Sequence, residues 1–345
     1  MGDYPTGKVL SPRLGNGQPW PSDFVPRRFL RGGHRQTIVA TYLPRENRLP
    51  VPEERLFSVE PEVQILARCH WQPERTSRTT LVVVHGLEGS SESQYVIGTA
   101  NKAWAAGMNV VRMNMRNCGG SERLARTLYN SSMSSDVAGV VRALIDEDHL
   151  RSLAVAGFSM GGNLVLKMDG EWGENAPPQV NAVVAVSPAL DLAISAKALH
   201  QWRNRLYEYR FLLNLHSSFT KKVRLYPELY HPYSLFSIRS LWEFDDRITA
   251  PHGGFNGAAD YYHRAAAARV VDRIATPTLI IHSLDDPFIK ISAETRANIL
   301  ANQAIRYIET IHGGHCAFLA DAVGYDGRWA EKKIVEFVQE LAPPA

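Results

Sequence analysis

The sequence predicts an α/β fold: a mostly parallel central sheet with helices on both faces, interrupted by a helical cap insertion. Three observations carry this reading. From Thr80 onward, short β-branched runs alternate with amphipathic stretches, the pattern of βαβ units. One of these units joins a strand to a helix through the turn Gly157-Phe158-Ser159-Met160-Gly161. The alternation then stops between Leu190 and Pro251, where no strand with flanking turns is found.

The elements follow in order. Residues 54–59 and 63–70 read as an antiparallel edge hairpin, and 80–84 as a buried strand ending at His85-Gly86. A helix over 93–106 leads to a strand over 109–113. The helix over 132–147 carries Val137, Val140, Val141, Leu144 and Ile145 at helical spacing. Residues 153–158 form a strand that runs at once into a helix over 161–172. Further strands are expected at 180–186, 278–282 and 304–308. Runs buried on both faces and separated by helices are what a parallel sheet requires. The chain therefore divides into an N-terminal extension packing on the core (1–50), a first part of the core (51–189), a cap or lid (190–251) and a second part of the core (252–345).

The cap segment is rich in aromatic residues: Trp202, Tyr207, Tyr209, Phe211, Phe219, Tyr226, Tyr230, Tyr233, Phe236, Trp242 and Phe244. An insertion of this length above the strand C-termini is expected to wall a binding site. Lys221, Lys222 and Arg224 add positive charge to the same segment, which allows peripheral membrane contact through the cap.

Composition narrows the function classes. Of 345 residues, 45% are hydrophobic and 21% charged, enough apolar material for a large core. A net charge of +3 is too slight to suggest a nucleic-acid-binding face. Cys69, Cys118 and Cys316 lie far apart and form no Cys-x-x-Cys pair, so neither a disulfide framework nor a zinc cage is expected. Cys118 has no strand-to-helix turn around it, which argues against a cysteine nucleophile. His252, His263, His282 and His312 lack metal-ligand spacing, and no phosphate-binding glycine loop appears, so no metal or cofactor is expected. Residues 1–20 lack the apolar run of a signal peptide, and no stretch reaches the roughly 18 apolar residues of a membrane span. The expectation is a soluble, cytoplasmic protein.

The Gly-x-Ser-x-Gly turn carries the chemistry. Its glycines allow strand and helix to approach too closely for a Cβ, and the turn holds the Ser159 hydroxyl out of the sheet. A serine needs a base to take its proton, itself oriented by a carboxylate, in the chain order Ser, Asp, His. Asp285 and Asp286 directly follow the strand at 278–282, and Gly313-Gly314-His315 follows the next. Position alone does not choose between the two aspartates. An oxyanion hole needs two backbone N–H donors. Met160, after the nucleophile, supplies one, and Leu87 in the loop His85-Gly86-Leu87-Glu88-Gly89 the other.

Taken together, His85-Gly86-Leu87-Glu88-Gly89-Ser90-Ser91, Gly157 to Asn163, Ser187-Pro188 with Asp191-Leu192, Pro277 to Ile281, Asp285-Asp286-Pro287 and Gly313-Gly314-His315 resemble the YheT-like branch of the α/β hydrolases. Gly33-His34-Arg35-Gln36-Thr37 is similar to that branch's Gly-His-x-Gln-Thr signature. The resemblance runs from about Phe29 to the C-terminus. It implies the α/β-hydrolase fold, a serine esterase or lipase acting on a small-molecule ester or a lipid, and Asp286 as the triad carboxylate. Some relatives act as acyltransferases or phospholipases, and a non-catalytic binding protein on the same fold is the rival from another class. Asn117 and Cys316 depart from the branch, where glycine is usual, and both lie where they can alter the pocket.

Overall fold

The computed structural model describes residues 17–233 and 237–342. Phe236 and most of the N-terminal segment scanned for a signal peptide lie outside the described residues. The sheet comprises β1 (Glu53–Glu60), β2 (Val63–His70), β3 (Thr80–Val84), β4 (Asn109–Met113), β5 (Leu153–Phe158), β6 (Val180–Val186), β7 (Thr278–Ser283) and β8 (Ile305–Thr310). Their order across the sheet is β1-β2-β4-β3-β5-β6-β7-β8. The β1–β2 hairpin is antiparallel and β2 meets β4 antiparallel; every other neighbouring pair is parallel. This is the α/β-hydrolase architecture the sequence predicts.

The strands are β-branched because both faces are covered. Val82, Val84 and Val155 point into one apolar layer, closed by α3 (Ser134–Asp146), α4 (Met160–Trp172) and α10 (Ala293–Ala301). Leu81, Val83, Ala154 and Ala156 point into the other, closed by α2 (Gln94–Ala105) and α11 (Trp329–Leu341). The period-2 alternation of a strand thus divides one sequence run between two cores.

Strand order places the site. From β3 the chain moves outward to β4, then returns across β3 to form β5. The loops leaving the C-terminal ends of β3 and β5 therefore diverge, and ligands bind in the crevice left at such a switch point. The loop beginning at His85 and the turn carrying Ser159 flank that crevice.

Between β6 and β7 the described residues form helices and no strand: α5 (Leu192–Leu199), α6 (Arg205–Leu225), α7 (Leu241–Phe244), a π-helical turn at Asp245–Thr249, α8 (Ala250–His252) and α9 (Ala258–Ala265). At the other end of the chain, α1 (Gly33–Tyr42) rests on the loops that follow β7 and β8. There is no room for a side chain at Gly33, where an added Cβ would lie 1.7 Å from the Asp285 carbonyl oxygen.

Candidate active site

Ser159 sits between β5 and α4 with φ 54° and ψ −116°, a conformation L-residues rarely adopt. Such strain costs about 1–3 kcal/mol and persists only where the surroundings fix it. Here they do. Ser159 N–H donates to Val186 O at 2.9 Å, and its carbonyl accepts Asn163 N–H at 3.1 Å and Ala189 N–H at 3.2 Å. An added Cβ at Gly157 would lie 2.2 Å from Gly161 O, and one at Gly161 would lie 2.3 Å from His85 O. Both glycines of the turn are therefore sterically required.

The two adjacent aspartates point to different partners. Asp286 is fully buried; its Oδ2 meets His315 Nδ1 at 2.8 Å, and its Oδ1 accepts Phe288 N–H at 3.1 Å and Ile289 N–H at 2.9 Å. Burial would raise the Asp286 pKa, but the imidazole and the Ile289 N–H hold it below the usual aspartate value. Asp285 instead accepts Gly314 N–H at 2.9 Å, contacts His312 Nδ1 at 3.1 Å and accepts the Ser283 hydroxyl at 2.5 Å. It fastens the loop that carries His315 without touching the ring.

The other face of the imidazole packs on Phe288, with ring centroids 4.5 Å apart. Its Nε2 contact is the Cys316 thiol at 3.7 Å, not the Ser159 hydroxyl. Burial opposes a charged imidazole, but Cys316 and Asp286 outweigh it and push His315 up to about 10. A carboxylate is charged at neutral pH and a thiol ordinarily is not, so the upward direction rests on Asp286.

Leu87, Ser159 and Met160 line one cavity. Neither Leu87 N–H nor Met160 N–H donates to a backbone carbonyl among the described residues. The Leu87 loop is braced on several sides. His85, fully buried, contacts Gly86 O through Nδ1 at 2.7 Å and accepts Met115 N–H at Nε2, 3.1 Å away. That burial lowers its pKa to about 4, so the ring is a neutral brace. Glu88 donates its N–H to Tyr129 Oη at 3.0 Å and accepts that hydroxyl at Oε1, 2.5 Å away. Its Oε2 accepts the Ser218 hydroxyl of α6 at 2.6 Å.

The cavity wall is apolar and comes largely from the inserted helices, with Leu199, Phe211, Leu215, Phe219, Leu241 and Phe244 among its residues. The aromatic residues of the insertion do not act as one group. Phe211, Phe219 and Phe244 line the cavity, whereas Trp202 and Tyr209 are 79% and 56% exposed on the outside. The charge expected at the surface is also redistributed. Lys222 is buried, donates to Ala125 O at 2.5 Å and Glu122 O at 3.2 Å, and is lowered to about 8 by that burial. A lysine stem long enough to reach carbonyls across the interface can be buried in this way. Asp245 in the π-turn also lines the cavity, accepting the Tyr262 hydroxyl and the Thr249 hydroxyl, each at 2.6 Å. Burial raises it to about 6.

Matches to known proteins place the chain in a family. The α/β-hydrolase family model matches residues 79–322. The putative esterase YheT of Escherichia coli is 32% identical over 320 residues, covering 92% of this chain and 93% of that one. The chain belongs to the YheT-like branch of the α/β hydrolases. The hydrolase also matches the medium-chain fatty acid ethyl ester synthase/esterase 2 of Saccharomyces cerevisiae, at 29% identity over 74% of this chain and 61% of the yeast protein. The Pyrococcus furiosus esterase Pf2001 shares its fold with a TM-score of 0.55, at 15% identity over 85% of this chain and 93% of that one. The two sequence relatives are named for ester chemistry, and the Pyrococcus match shows the shared fold.

Sequence reasoning singled out Ser159, Asp286, His315, Leu87 and Met160. It missed the braces around them. Gln36 is fully buried and pairs with the backbone of Leu319, donating Nε2–H to Leu319 O at 3.1 Å and accepting Leu319 N–H at 2.7 Å. Thr37 Oγ1 accepts His315 N–H at 2.8 Å. The Gly-His-x-Gln-Thr signature was the available signal, but nothing in it names the loop it holds. Among the described residues no cluster of His, Cys, Asp or Glu could hold a metal ion, and no helix is long and apolar enough to cross a membrane.

Proposed function

We propose that the chain cleaves carboxylic esters through an acyl-enzyme formed on Ser159. The observation that carries this reading is the Asp286–His315 hydrogen bond, in a chain that also holds Ser159 on a strained strand-to-helix turn. His315 takes the Ser159 proton as the hydroxyl attacks the acyl carbonyl, and Asp286 holds the tautomer and stabilises the imidazolium. The N–H groups of Leu87 and Met160 receive the oxyanion. His315 then protonates the leaving alkoxide and later activates the water that releases the acid. In the same reading residues 190–251 are the cap that walls the acyl pocket, and the described part of the 1–50 extension, residues 17–50, braces the core.

Labelling with a fluorophosphonate, followed by mass spectrometry of the Ser159 peptide, tests this. Modification at Ser159 is expected, abolished by Ser159→Ala. Label on another residue, or none, overturns the mechanism. A second reading is favoured by the yeast relative, whose name includes ester synthesis: an alcohol replaces water as the acyl acceptor. Adding ethanol to a hydrolysis assay and measuring ethyl ester against free acid separates the two.

A further inference from the structure

The helix that walls the cavity on its inner side is also the most unusual surface of the molecule on its outer side. In α6 and the turn before it, Trp202, Leu206, Tyr209 and Leu213 are 79%, 76%, 56% and 38% exposed. At 3.6 residues per turn these positions fall within an arc of about 60°. They make one continuous apolar stripe rather than scattered surface residues, and an exposed stripe of this size marks an interaction site. Arg203 and Arg210 flank it on one side and Arg205 on the other; all three are exposed, and none forms an ion pair with a carboxylate among the described residues. The acidic residue of this stretch, Glu208, is turned inward, bonded to His200 and to Leu241 N–H. The outer face from Gln201 to Leu213 therefore presents apolar groups and cations with no exposed carboxylate.

We infer that this face docks on an anionic lipid surface. The chemistry matches: Trp and Tyr at the level of the headgroups, Leu below them, and guanidinium groups alongside to meet phosphates. Charge also decides between occupants. A second copy of the chain, meeting this face symmetrically, would set Arg203, Arg205 and Arg210 against themselves. On the opposite side of the same helix, Phe211, Leu215 and Phe219 line the cavity, so a docked protein holds its cavity one helix away from the lipid. The inference rests on the proposed esterase activity only for what the docked protein acts on; docking itself needs no turnover.

The test is co-sedimentation of the full chain with vesicles of phosphatidylcholine alone, or of phosphatidylcholine mixed with phosphatidylglycerol. Hydrolysis of a short soluble ester is followed in parallel. The protein should sediment with the anionic vesicles and be released by salt, because exposed charges are screened. Arg203→Gln and Arg210→Gln should each weaken binding about fivefold. Trp202→Ala with Leu206→Ala should weaken it at least about tenfold. Soluble-ester hydrolysis should stay at the parent level in all of them, since none of these residues reaches the cavity. Ser159→Ala should bind vesicles as the parent does, which separates a failure of docking from a failure of the mechanism. Equal binding to both vesicle types, binding untouched by the variants, or no binding at low salt would each overturn the inference. So would a dimer that the stripe variants dissolve in the absence of lipid affinity.

Discussion

Thr37 Oγ1 accepts the backbone N–H of His315 at 2.8 Å while donating to Gly33 O at 2.7 Å. A hydroxyl near the N-terminus of the chain thus fixes the backbone of a histidine almost at its other end. Thr37→Val keeps the shape but leaves the His315 N–H without its acceptor, at a cost of about 1–3 kcal/mol in stability. We expect kcat to fall about tenfold with KM unchanged, and Thr37→Ser to restore it. Loss of stability without any change in kcat would make Thr37 a purely structural residue.

Ser159→Ala should lower ester hydrolysis by a factor on the order of 10⁴ to 10⁶ in kcat, because no acyl-enzyme can form. Alanine occupies the same strained backbone, so the thermal midpoint should stay close to the parent's. A folded variant retaining a tenth of the activity would contradict the nucleophile assignment.

The neighbouring aspartates should separate cleanly. Asp286→Asn removes the charge facing His315 Nδ1 and should cost several orders of magnitude in kcat. Asp285→Asn retains an oxygen for Gly314 N–H and should cost far less; Asp285→Ala, which frees the loop, should fall between them. Steady-state kinetics of the three variants decide the order, and a larger loss for Asp285→Asn would reverse the roles.

The raised His315 value sets a pH dependence. The base must be neutral to accept a proton, so the rate of fluorophosphonate labelling should climb with pH and level off above the ordinary imidazole value of 6.5. Asp286→Asn should move that limb to lower pH. The same shift contributes stability that is complete below pH 6.5 and is lost as pH rises through the raised folded-state value. For Asp286 the direction is opposite: its depressed value contributes stability above pH 3.8 that is lost as pH falls through the folded-state value. A labelling rate independent of pH across this range would remove His315 as the base.

The apolar cavity wall should measure acyl length. Each methylene it buries is worth about 0.8 kcal/mol, so kcat/KM for p-nitrophenyl esters should rise with chain length and then fall. Phe211→Ala and Leu215→Ala enlarge the cavity and should move the optimum to longer chains. Reactivity toward a small fluorophosphonate should barely change. An unaltered length profile in both variants would detach the inserted helices from substrate choice.

The sheet was legible because strands buried on both faces are written largely in apolar, often β-branched residues, as in Thr80–Val84 and Val180–Val186. The serine turn was legible because a tight strand-to-helix junction demands glycine at 157 and 161. The contacts that support the site were not. Gln36 finds Leu319 across 283 positions of sequence, and Thr37 finds His315 across 278, and no local period encodes such a meeting. The two faces of α6 were hidden for a different reason. Aromatic residues serve a cavity wall and an outer surface equally well, so composition alone could not divide Phe211 and Phe219 from Trp202 and Tyr209.

One carboxylate joins two structures that could otherwise move separately. Glu88 grips Ser218 on the cap helix with one oxygen and Tyr129 with the other, while its own backbone follows Leu87 directly. Any swing of the cap wide enough to break the Ser218 bond also releases one hold on the loop that presents the Leu87 N–H. On the proposed mechanism, opening the door and disarming the latch are a single motion, and the site is least reactive in the moments when water has the freest access to it.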